Sequence, residues 1–385
     1  MLPVTIWMNM PSFYQDDLFR ALATKVDLRV VYDHELTADR RQLGWKQGCS
    51  DYDFSVLRSN RKTYNAMCIA HSERDRMHII GGLWAEPAFV AAVLTLGMAH
   101  APFAIYAEAP NSGVSRSAAR QALRSSIGRW IVRRAVGFLA VSHFADDYYG
   151  GVGCTPGQLY PFGYFRESPP PPRLAHETNG VDIVFVGQLI HRKGIDILLQ
   201  AAGPVLAENP SVRVSLIGSG PDQELIAANL RSAGIADRVI LEGPLPSARI
   251  HERLVRADLL ILPSRWDGWG LVINEAFAAG IPVIASDQCG GADLICHGVN
   301  GYVFRSEDVG DLRACLGAFR SADRKQMRAA AVQTSSALSI PVVVDYLVAC
   351  LEHMTGIRSE RPIAPWQQVV AELRRLNDVP MSVPN

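Results

Sequence analysis

Short, mainly apolar runs separated by longer amphipathic segments extend through most of this chain. The runs occupy residues 28–32, 77–80, 138–141, 183–186, 212–217, 239–241, 259–262 and 283–285. Apolar runs of this length, bounded by turn residues, are typical of buried strands, and the segments between them favour helices. Strands that alternate with helices predict parallel sheets covered on both faces. The pattern therefore predicts an α/β protein with doubly wound parallel sheets.

The pattern is interrupted once, between residues 160 and 180. Pro161 and Gly163 break the alternation, and four consecutive prolines at 169–172 favour a stiff, extended linker. A chain of 385 residues also exceeds the usual size of a single core. We therefore predict two domains, a linker and a C-terminal segment, with bounds of 1–165, 166–180, 181–355 and 356–385. Within the last segment, 365–376 has the amphipathic pattern of a helix with proline in its first turn.

The longest uncharged stretch, residues 88–107, is long enough to be weighed as a membrane span. It carries no charge except a possible one on His100. However, Pro87 suits the start of a helix, 97–102 contains turn residues, and 103–106 has the composition of a strand. We therefore predict a buried helix followed by a buried strand.

Composition excludes several classes of protein. Charges balance at 38 basic and 38 acidic residues, so no overall field favours nucleic acid. The seven cysteines are scattered without a C-x-x-C pair, which predicts reduced thiols in a cytoplasmic protein and no zinc site. Residues 4–8 resemble a first strand more than a signal peptide. The histidines show no ligand spacing, and the acids of Asp51-Tyr52-Asp53 lie far from any nucleotide motif, so no metal is predicted.

The most informative stretch runs from Asp267 to Glu275. It follows the apolar run 259–262, contains Gly268 and Gly270, and leads into a helix that we expect to begin at Glu275. Free backbone N–H groups and the helix dipole at such a turn favour an anion. The acids that bracket the turn can accept hydrogen bonds from hydroxyls beside bound phosphates.

In its context, Pro263-Ser264-x-x-Asp-Gly-Trp-Gly-x-x-x-x-Glu-Ala, this spacing resembles the acid-x7-acid motif of the retaining GT-B glycosyltransferases of family 4. The resemblance implies that Asp267 contacts the hydroxyls of a donor sugar and that Glu275 holds the nucleotide ribose. The family usually has Glu at the first acid, and Asp267 is one methylene shorter. The residues between the acids are then also donor-binding: Gly268, Trp269, Gly270 and Leu271.

A second motif follows the first strand of the second domain. Family members commonly have Gly-Arg followed by Lys-Gly, whose cations grip the diphosphate; this chain has Gly187-Gln188 and Lys193-Gly194. The resemblance implies that Lys193 is a mobile point charge on phosphate. Because Gln188 stands where the family has arginine, one of the two cations is missing. Arg192 has two interpretations: it replaces the missing cation, or it points to solvent.

Two further loops complete the predicted donor site. Gly218 and Gly220 end the strand at 212–217 and allow the backbone to approach a neighbouring loop or ligand. Pro221-Asp222-Gln223 breaks the dinucleotide fingerprint, which disfavours a dehydrogenase. In similar proteins the loop containing Leu245 lies against the nucleotide base.

The first domain carries weaker signals. Relatives often have a Gly-Gly loop after the first strand and a histidine after the strand that corresponds to 103–106. Here residues 9–14 contain no glycine, and Glu108 stands near the histidine position. Two interpretations of Glu108 stand: a site residue at the carboxyl end of a strand, or an acid facing solvent.

Six arginines and no acid or lysine occur between residues 115 and 136. Several recur at four-residue spacing beside apolar residues, a composition typical of a helix attracted to anionic lipid. A solvated arginine face is the alternative. The predicted surface consists of Arg116, Arg120, Arg124, Arg129, Trp130 and Arg133.

Together these observations predict a GT-B fold: two Rossmann-like domains facing a cleft, with a C-terminal helix that crosses back to the first domain. The resemblance implies transfer of a hexose, with retention, from a nucleotide-diphosphate sugar to a saccharide or lipid-linked acceptor in polysaccharide or lipopolysaccharide assembly. The sugar nucleotide is a co-substrate, and no cofactor or metal is expected. The site residues expected to act in transfer are Lys193, Asp267, Glu275 and Glu108. The protein would be cytoplasmic, or peripheral on the inner face of the plasma membrane. A GT-B sugar-nucleotide epimerase and a non-catalytic nucleotide-sugar-binding protein are the alternatives.

Overall fold

The computed structural model describes residues 1–37, 51–58, 60–84, 86–109, 117–169 and 180–377. The chain forms two compact units. The first consists of Met1–Glu167 and Ile340–Ala364, and the second of Ser168–Ser339 and Pro365–Asn385. Most of the proline-rich stretch at 169–172 lies outside the described residues.

The first unit contains a seven-stranded parallel sheet with helices along it. Its strands are β1 (Pro3–Met8), β2 (Asp27–Tyr32), β3 (Asp53–Val56), β4 (Met77–Gly81), β5 (Phe103–Glu108), β6 (Gly137–Val141) and β7 (Leu159–Phe162). Its helices up to the linker are α1 (Phe13–Ala23), α2 (Lys62–Ser72), α3 (Pro87–Met98), α4 (Ala118–Val132) and α5 (Ser142–Gly151). The strand order is β3-β2-β1-β4-β5-β6-β7. The order reverses between β1 and β4, and ligands of open α/β sheets bind beyond the carboxyl ends of strands at such a point.

The apolar stretch that was weighed as a membrane span is a buried helix and a buried strand, as predicted. Pro87 occupies the first turn of α3, and Phe89 and Leu96 are fully buried. His100 takes a left-handed φ of 54° between α3 and β5. Among the described residues no single helix is long and apolar enough to cross a membrane; one bent pair, Arg324–Ser336 with Ile340–Met354, meets the length and composition criteria jointly.

The second unit contains a six-stranded parallel sheet in the order β10-β9-β8-β11-β12-β13. Its strands are β8 (Val181–Val186), β9 (Val212–Ile217), β10 (Val239–Gly243), β11 (Leu259–Leu262), β12 (Val283–Ser286) and β13 (Gly301–Phe304). Its helices up to residue 339 are α6 (Ile195–Glu208), α7 (Gln223–Ser232), α8 (Ser247–Val255), α9 (Val272–Ala278), α10 (Val309–Ser321) and α11 (Arg324–Ser336). Every residue of β11 and β12 is buried, which explains why β11 and the first three residues of β12 are continuously apolar. Here the order reverses between β8 and β11.

The last two helices, α12 (Ile340–Met354) and α13 (Pro365–Leu376), belong to different units. Helix α12 is part of the first unit, where the Tyr346 hydroxyl donates to the Pro161 carbonyl at 3.0 Å. Helix α13 is part of the second unit, where Leu373 joins a small apolar cluster with Cys296, Val299 and Ala330.

A C-terminal helix does return to the first unit, as predicted, and the structure identifies it as α12. The segment grouped with the first unit is Ile340–Ala364, not 365–376, and the second domain's contiguous part ends at Ser339 rather than at 355. An amphipathic pattern establishes that a helix has a face to bury, but it does not identify the surface that covers this face.

Candidate functional site

The candidate site in the second unit lies at the carboxyl ends of β8 and β11. There the Lys193 ammonium donates to Asp267 Oδ2 at 2.5 Å. The side chains are 13% and 16% exposed, so the pair is neither buried away from ligands nor free in solvent. Two predicted site residues from separate loops therefore meet in an ion pair.

Backbone geometry fixes the turn that carries Lys193. Residues His191–Lys193 form one 3₁₀ turn, and Gly194 then adopts a left-handed φ of 67° to begin α6. A Cβ on Gly194 would lie 1.9 Å from the carbonyl oxygen of Pro263, at the end of β11. Only glycine fits there, so the Lys193 turn is held against the start of the Asp267 loop.

Arg192 neither replaces the missing cation nor points to solvent in this structure. Its guanidinium donates to the carbonyl of Trp266 at 2.5 Å, and its own carbonyl accepts from the N–H of Arg265 at 2.8 Å. The cation lost at the exposed Gln188 is therefore not replaced by Arg192 in this structure, because Arg192 is used to join the two loops.

Arg265 is a supporting residue that the sequence did not reveal. It donates to both carboxylate oxygens of Asp196, at 2.9 and 2.8 Å, to the His191 carbonyl at 2.8 Å, and to Glu307 at 3.0 Å. The hydrogen bond to Asp196 is the largest influence that raises the pKa of Arg265, and the same contact lowers the pKa of Asp196. A bidentate pair of this kind fixes orientation. Its only signal in the sequence is a basic residue inside the loop before Asp267.

The loop after Asp267 is held by backbone hydrogen bonds. Asp267 donates from its N–H to Gln288 and accepts from Gly290, both at 2.9 Å. Gly270 has a φ of 82°, and a Cβ there would meet Leu262 at 2.7 Å. Gly270 is thus needed for the turn, and Gly268 and Leu271 are partly exposed beside it.

Trp269, predicted to bind donor, has its side chain in the interior instead. It is 3% exposed, and its indole N–H donates to Asn274 Oδ1 at 3.2 Å. The turn between the two glycines directs the ring into the core.

Helix α9 begins at Val272, three residues earlier than predicted. Glu275 consequently lies within the first turn, where its N–H donates to the Leu271 carbonyl at 3.3 Å. Its side chain is partly exposed, whereas its helical neighbours Asn274 and Ala276 are buried.

The two glycines after β9 allow two loops to pack closely against each other. Gly218 has a φ of 137°, and a Cβ on it would lie 1.9 Å from the Gly187 carbonyl oxygen. A Cβ on Gly220 would lie 2.2 Å from the carbonyl of Leu189. The segment after β8 thus rests directly on the loop after β9. Leu245 is partly exposed just beyond β10.

A buried thiol lies behind the ion pair. Cys289 is fully buried, and its thiol lies 3.6 Å from the Leu262 carbonyl, to which it donates. Burial, with a smaller contribution from the Asp267 charge, raises the pKa of Cys289 to about 12. A thiol that stays protonated is a weak nucleophile.

Glu108, in the first unit, is part of a hydrogen-bonded network at the end of β5. It accepts from the Tyr164 hydroxyl at 2.8 Å, and the Tyr106 hydroxyl donates to the Gly163 carbonyl at 3.0 Å. Burial, the largest cause, and the Glu108 charge raise the pKa of Tyr164. Glu108 is therefore partly buried and structurally engaged, unlike an acid that faces solvent.

The arginine-rich segment is only partly free to meet a surface. The guanidinium of Arg124 lies 4.5 Å from the centre of the Trp84 ring, and Trp130 packs so closely on Gly97 that a Cβ there would be 2.3 Å from the ring. Arg129 and Arg133 are exposed near the end of α4. Arg116 lies outside the described residues, and Arg120 falls in α4 at a position whose side chain is not described.

The Asp-x-Asp of the first unit is divided between two arginines. Arg20 lies 3.1 Å from Asp51, and Arg29 lies 3.9 Å from Asp53. The acids therefore belong to separate ion pairs.

Comparison with known proteins places this geometry in context. Residues 171–331, which contain Lys193, Asp267 and Glu275, match the family "Glycosyl transferases group 1". The chain is 32% identical over 188 residues to a D-inositol 3-phosphate glycosyltransferase of Thermobifida fusca, a match that covers 46% of this chain and 43% of that protein. The chain thus spans less than half the length of the first curated relatives it matches.

Solved structures resemble nearly the whole chain. The Anabaena protein HepE in complex with UDP superposes with a TM-score of 0.71 at 17% identity, over 91% of this chain and 100% of that one. The lipopolysaccharide outer core galactosyltransferase WaaB superposes with a TM-score of 0.66 at 16% identity, over 92% and 99%. The chain therefore has the GT-B fold, as predicted.

Proposed function

We propose that this protein transfers a hexose from a nucleotide-diphosphate sugar to a saccharide or lipid-linked acceptor, with retention of configuration. The observation that carries the proposal is the Lys193–Asp267 ion pair, at 2.5 Å, where the strand order of the second sheet reverses. Ligands of α/β sheets bind at such points. The match of residues 171–331 to group 1 glycosyl transferases supports the same conclusion.

In the proposed mechanism Lys193 stabilises the departing diphosphate. The turn that carries it is fixed by Gly194 against Pro263, so the ammonium is placed before the donor arrives. Negative charge grows on the phosphate as the bond to the sugar breaks, and a pre-placed cation stabilises that transition state more than the ground state. Lys193 thus supplies charge that a bound metal supplies in other enzymes.

Asp267 has two successive roles in this proposal. Without donor it holds the Lys193 ammonium, and with donor bound it accepts hydrogen bonds from hydroxyls of the sugar. Glu275, one helical turn into the next element, holds the ribose. Both carboxylates are partly accessible, which suits contact with a neutral polyol better than burial would.

Retention is proposed to occur without a protein nucleophile. Cys289 lies near Asp267, but its thiol is buried and protonated. The leaving phosphate would instead accept the proton of the acceptor hydroxyl on the face from which it departs. The bond from sugar to phosphate breaks as the bond to the acceptor oxygen forms.

The names of similar proteins suggest a first choice of substrates. HepE was crystallised with UDP, and WaaB is described as a galactosyltransferase of the lipopolysaccharide outer core. We therefore propose UDP-hexoses as the first donors to test, and polysaccharide or lipopolysaccharide precursors as acceptors. The exposed Arg129 and Arg133 support a peripheral position on the cytoplasmic face of an anionic membrane.

One feature favours the non-catalytic alternative. The position where relatives carry a diphosphate-binding arginine is Gln188, and Arg192 is engaged with Trp266. The remaining cation of the predicted pair is Lys193, so diphosphate affinity depends strongly on this residue.

A panel of UDP, GDP and ADP sugars, screened by the melting temperature of the full chain, tests the proposal. We expect one nucleotide series to raise the melting temperature in proportion to the logarithm of its concentration. We also expect Lys193→Met to remove most of this rise, while Lys325→Gln, which changes an exposed lysine, leaves it intact. The absence of any shift across the panel would overturn the proposed donor site. A shift without turnover of any donor would favour the non-catalytic protein, and conversion of the donor alone would favour the epimerase.

A further inference from the structure

A group of ionisable side chains in the first unit has no part in the proposed transfer. Asp33 and His34 directly follow β2, and Glu86 directly precedes α3. One potential ligand atom from each of these three residues lies within 4.8 Å of the others. The group is near the reversal of strand order between β1 and β4, since Asp33 and His34 continue the backbone ladder by donating to Met8 and Asn9 at 3.0 Å.

Asp33 is an unusual residue to find in the interior. It is 1% exposed, and its Oδ2 accepts from the Lys62 ammonium at 2.5 Å. Its Oδ1 is buried and has no hydrogen-bond partner among the described residues. A buried carboxylate oxygen without a partner is costly, and such atoms often mark a place where a ligand binds.

Glu86 adds a second carboxylate that performs no structural task at its helix. It occupies the N-cap position of α3, yet its side chain makes no capping hydrogen bond. One of its carboxylate oxygens lies within 4.8 Å of a carboxylate oxygen of Asp33. Two carboxylates brought together in this way gain from a cation between them.

His34 has a backbone partner of the kind that metal-binding histidines often have. Its Nδ1 lies 3.0 Å from the carbonyl oxygen of Glu35. When Nδ1 donates to that carbonyl, Nε2 carries the free lone pair, and a backbone carbonyl is a common outer partner of a ligating imidazole. The three side chains thus offer two carboxylates and one imidazole.

We propose that Asp33, His34 and Glu86 bind a divalent metal ion of the Mn²⁺ class. Two oxygen ligands and one nitrogen ligand suit Mn²⁺, whereas soft thiolates are absent from the group. In the structure the Lys62 ammonium neutralises Asp33, and its side chain is 29% exposed, so it can turn away when a metal ion enters. Lys62 and the metal ion therefore compete for Asp33.

The bound ion would connect the end of β2 to the start of α3. Three protein ligands leave coordination positions open for water or for an oxygen of a further ligand. The inference rests on the first unit alone and does not depend on the proposed transfer reaction.

Mn²⁺ titration of the full chain, followed by electron paramagnetic resonance, tests the site. The sharp six-line signal of free Mn²⁺ should disappear in proportion to protein, with one site per chain, and the melting temperature should rise with Mn²⁺ concentration. Mn²⁺ is a better probe than Zn²⁺ because Cys68 is an exposed thiol that would bind zinc on its own.

Four variants distinguish this site from a surface effect. Glu86→Gln and His34→Asn should each weaken Mn²⁺ binding by about tenfold or more. Glu35→Gln removes an exposed charge beside the group and should leave binding unchanged. Lys62→Met should tighten binding, because the competing ammonium is gone.

The result for Lys62→Met is the decisive one. A purely structural ion pair predicts that this variant loses stability and gains no affinity for Mn²⁺. That result, or binding insensitive to both Glu86→Gln and His34→Asn, would overturn the proposal. Because Glu86 and His34 are only partly buried, these variants are expected to fold even if a change at the buried Asp33 does not.

Discussion

Replacing Lys193 with Met should separate the roles of the two charges in the ion pair. The change removes the ammonium that is proposed to bind diphosphate and keeps the length of the side chain. It also leaves the Asp267 carboxylate, 16% exposed, without the partner that now lies at 2.5 Å. A bound nucleoside diphosphate would then lose an attractive charge and face a repulsive one.

The magnitude follows from these two contributions. Losing a hydrogen bond to a charged group costs about 1.5–3 kcal/mol, which is roughly a 10- to 150-fold weaker Kd for the diphosphate. Neutralising the carboxylate in Lys193→Met/Asp267→Asn should recover part of this loss, because residues in contact typically couple by about 0.5–3 kcal/mol. Asp267→Asn alone should bind a nucleoside diphosphate as tightly as the unmodified protein or more tightly, since this ligand has no hexose for Asp267 to contact.

Isothermal titration calorimetry with the nucleoside diphosphate selected by the panel measures all three variants. We expect affinity to increase in the order Lys193→Met, Lys193→Met/Asp267→Asn, unmodified protein. Lys325→Gln serves as the control for loss of a lysine. The reasoning is refuted if a folded Lys193→Met protein binds the nucleoside diphosphate with unchanged affinity. It is also refuted if Asp267→Asn lowers that affinity as much as Lys193→Met does.

Three further predictions follow from the same structure. Gly218→Ala should abolish nucleotide binding or lower the melting temperature strongly, because its Cβ would lie 1.9 Å from a backbone oxygen. Gly317→Ala, at an exposed position of α10 where a Cβ meets no atom within 4 Å, should instead raise the melting temperature slightly, and differential scanning fluorimetry compares the two. Burial lowers the pKa of His78 to about 4 from an ordinary value of 6.5, so the folded state resists protonation. The free energy of unfolding should therefore fall by about 3 kcal/mol as the pH is lowered from 6.5 to 4, and His78→Asn should flatten that part of a denaturation profile. Arg129→Gln/Arg133→Gln should reduce sedimentation with anionic liposomes while leaving sedimentation with neutral ones unchanged; equal sedimentation of both proteins with both vesicles would identify a solvated face.

Much of the fold could be predicted because its strands are buried on both faces. Continuous apolar runs such as Leu259–Leu262 have few alternatives to a central parallel strand. The helix and strand that span 88–107 were likewise predictable, since Pro87 and the turn residues break a stretch that composition alone would allow to cross a membrane. The C-terminal division was not, because the pattern of 365–376 specifies a buried face without specifying its partner.

The candidate site was predictable where chemistry follows local sequence. Lys193 and Asp267 stand in loops whose glycines have evident backbone roles, and the structure brings them together. Trp269 and Arg192 could not be assigned, since whether a side chain points inward depends on tertiary contacts such as those with Asn274 and Trp266.

The group formed by Asp33, His34 and Glu86 was also beyond the reach of the sequence. Its members come from the ends of two elements that are distant along the chain, so no ligand spacing is visible. Parallel strand order is what brings the end of β2 near the start of α3, and this information is not contained in any single segment.

Donor turnover by the full chain and by Glu275→Gln tests the central claim most directly. Each nucleotide sugar that raises the melting temperature would be incubated with saccharide and lipid-linked acceptors, with release of the nucleoside diphosphate and the anomeric NMR signal of the product as readouts. We predict that one donor is consumed and that its sugar keeps its anomeric configuration. We also predict that turnover falls by about tenfold or more in a folded Glu275→Gln protein. A product of inverted configuration, or equal turnover by Glu275→Gln, would contradict the account.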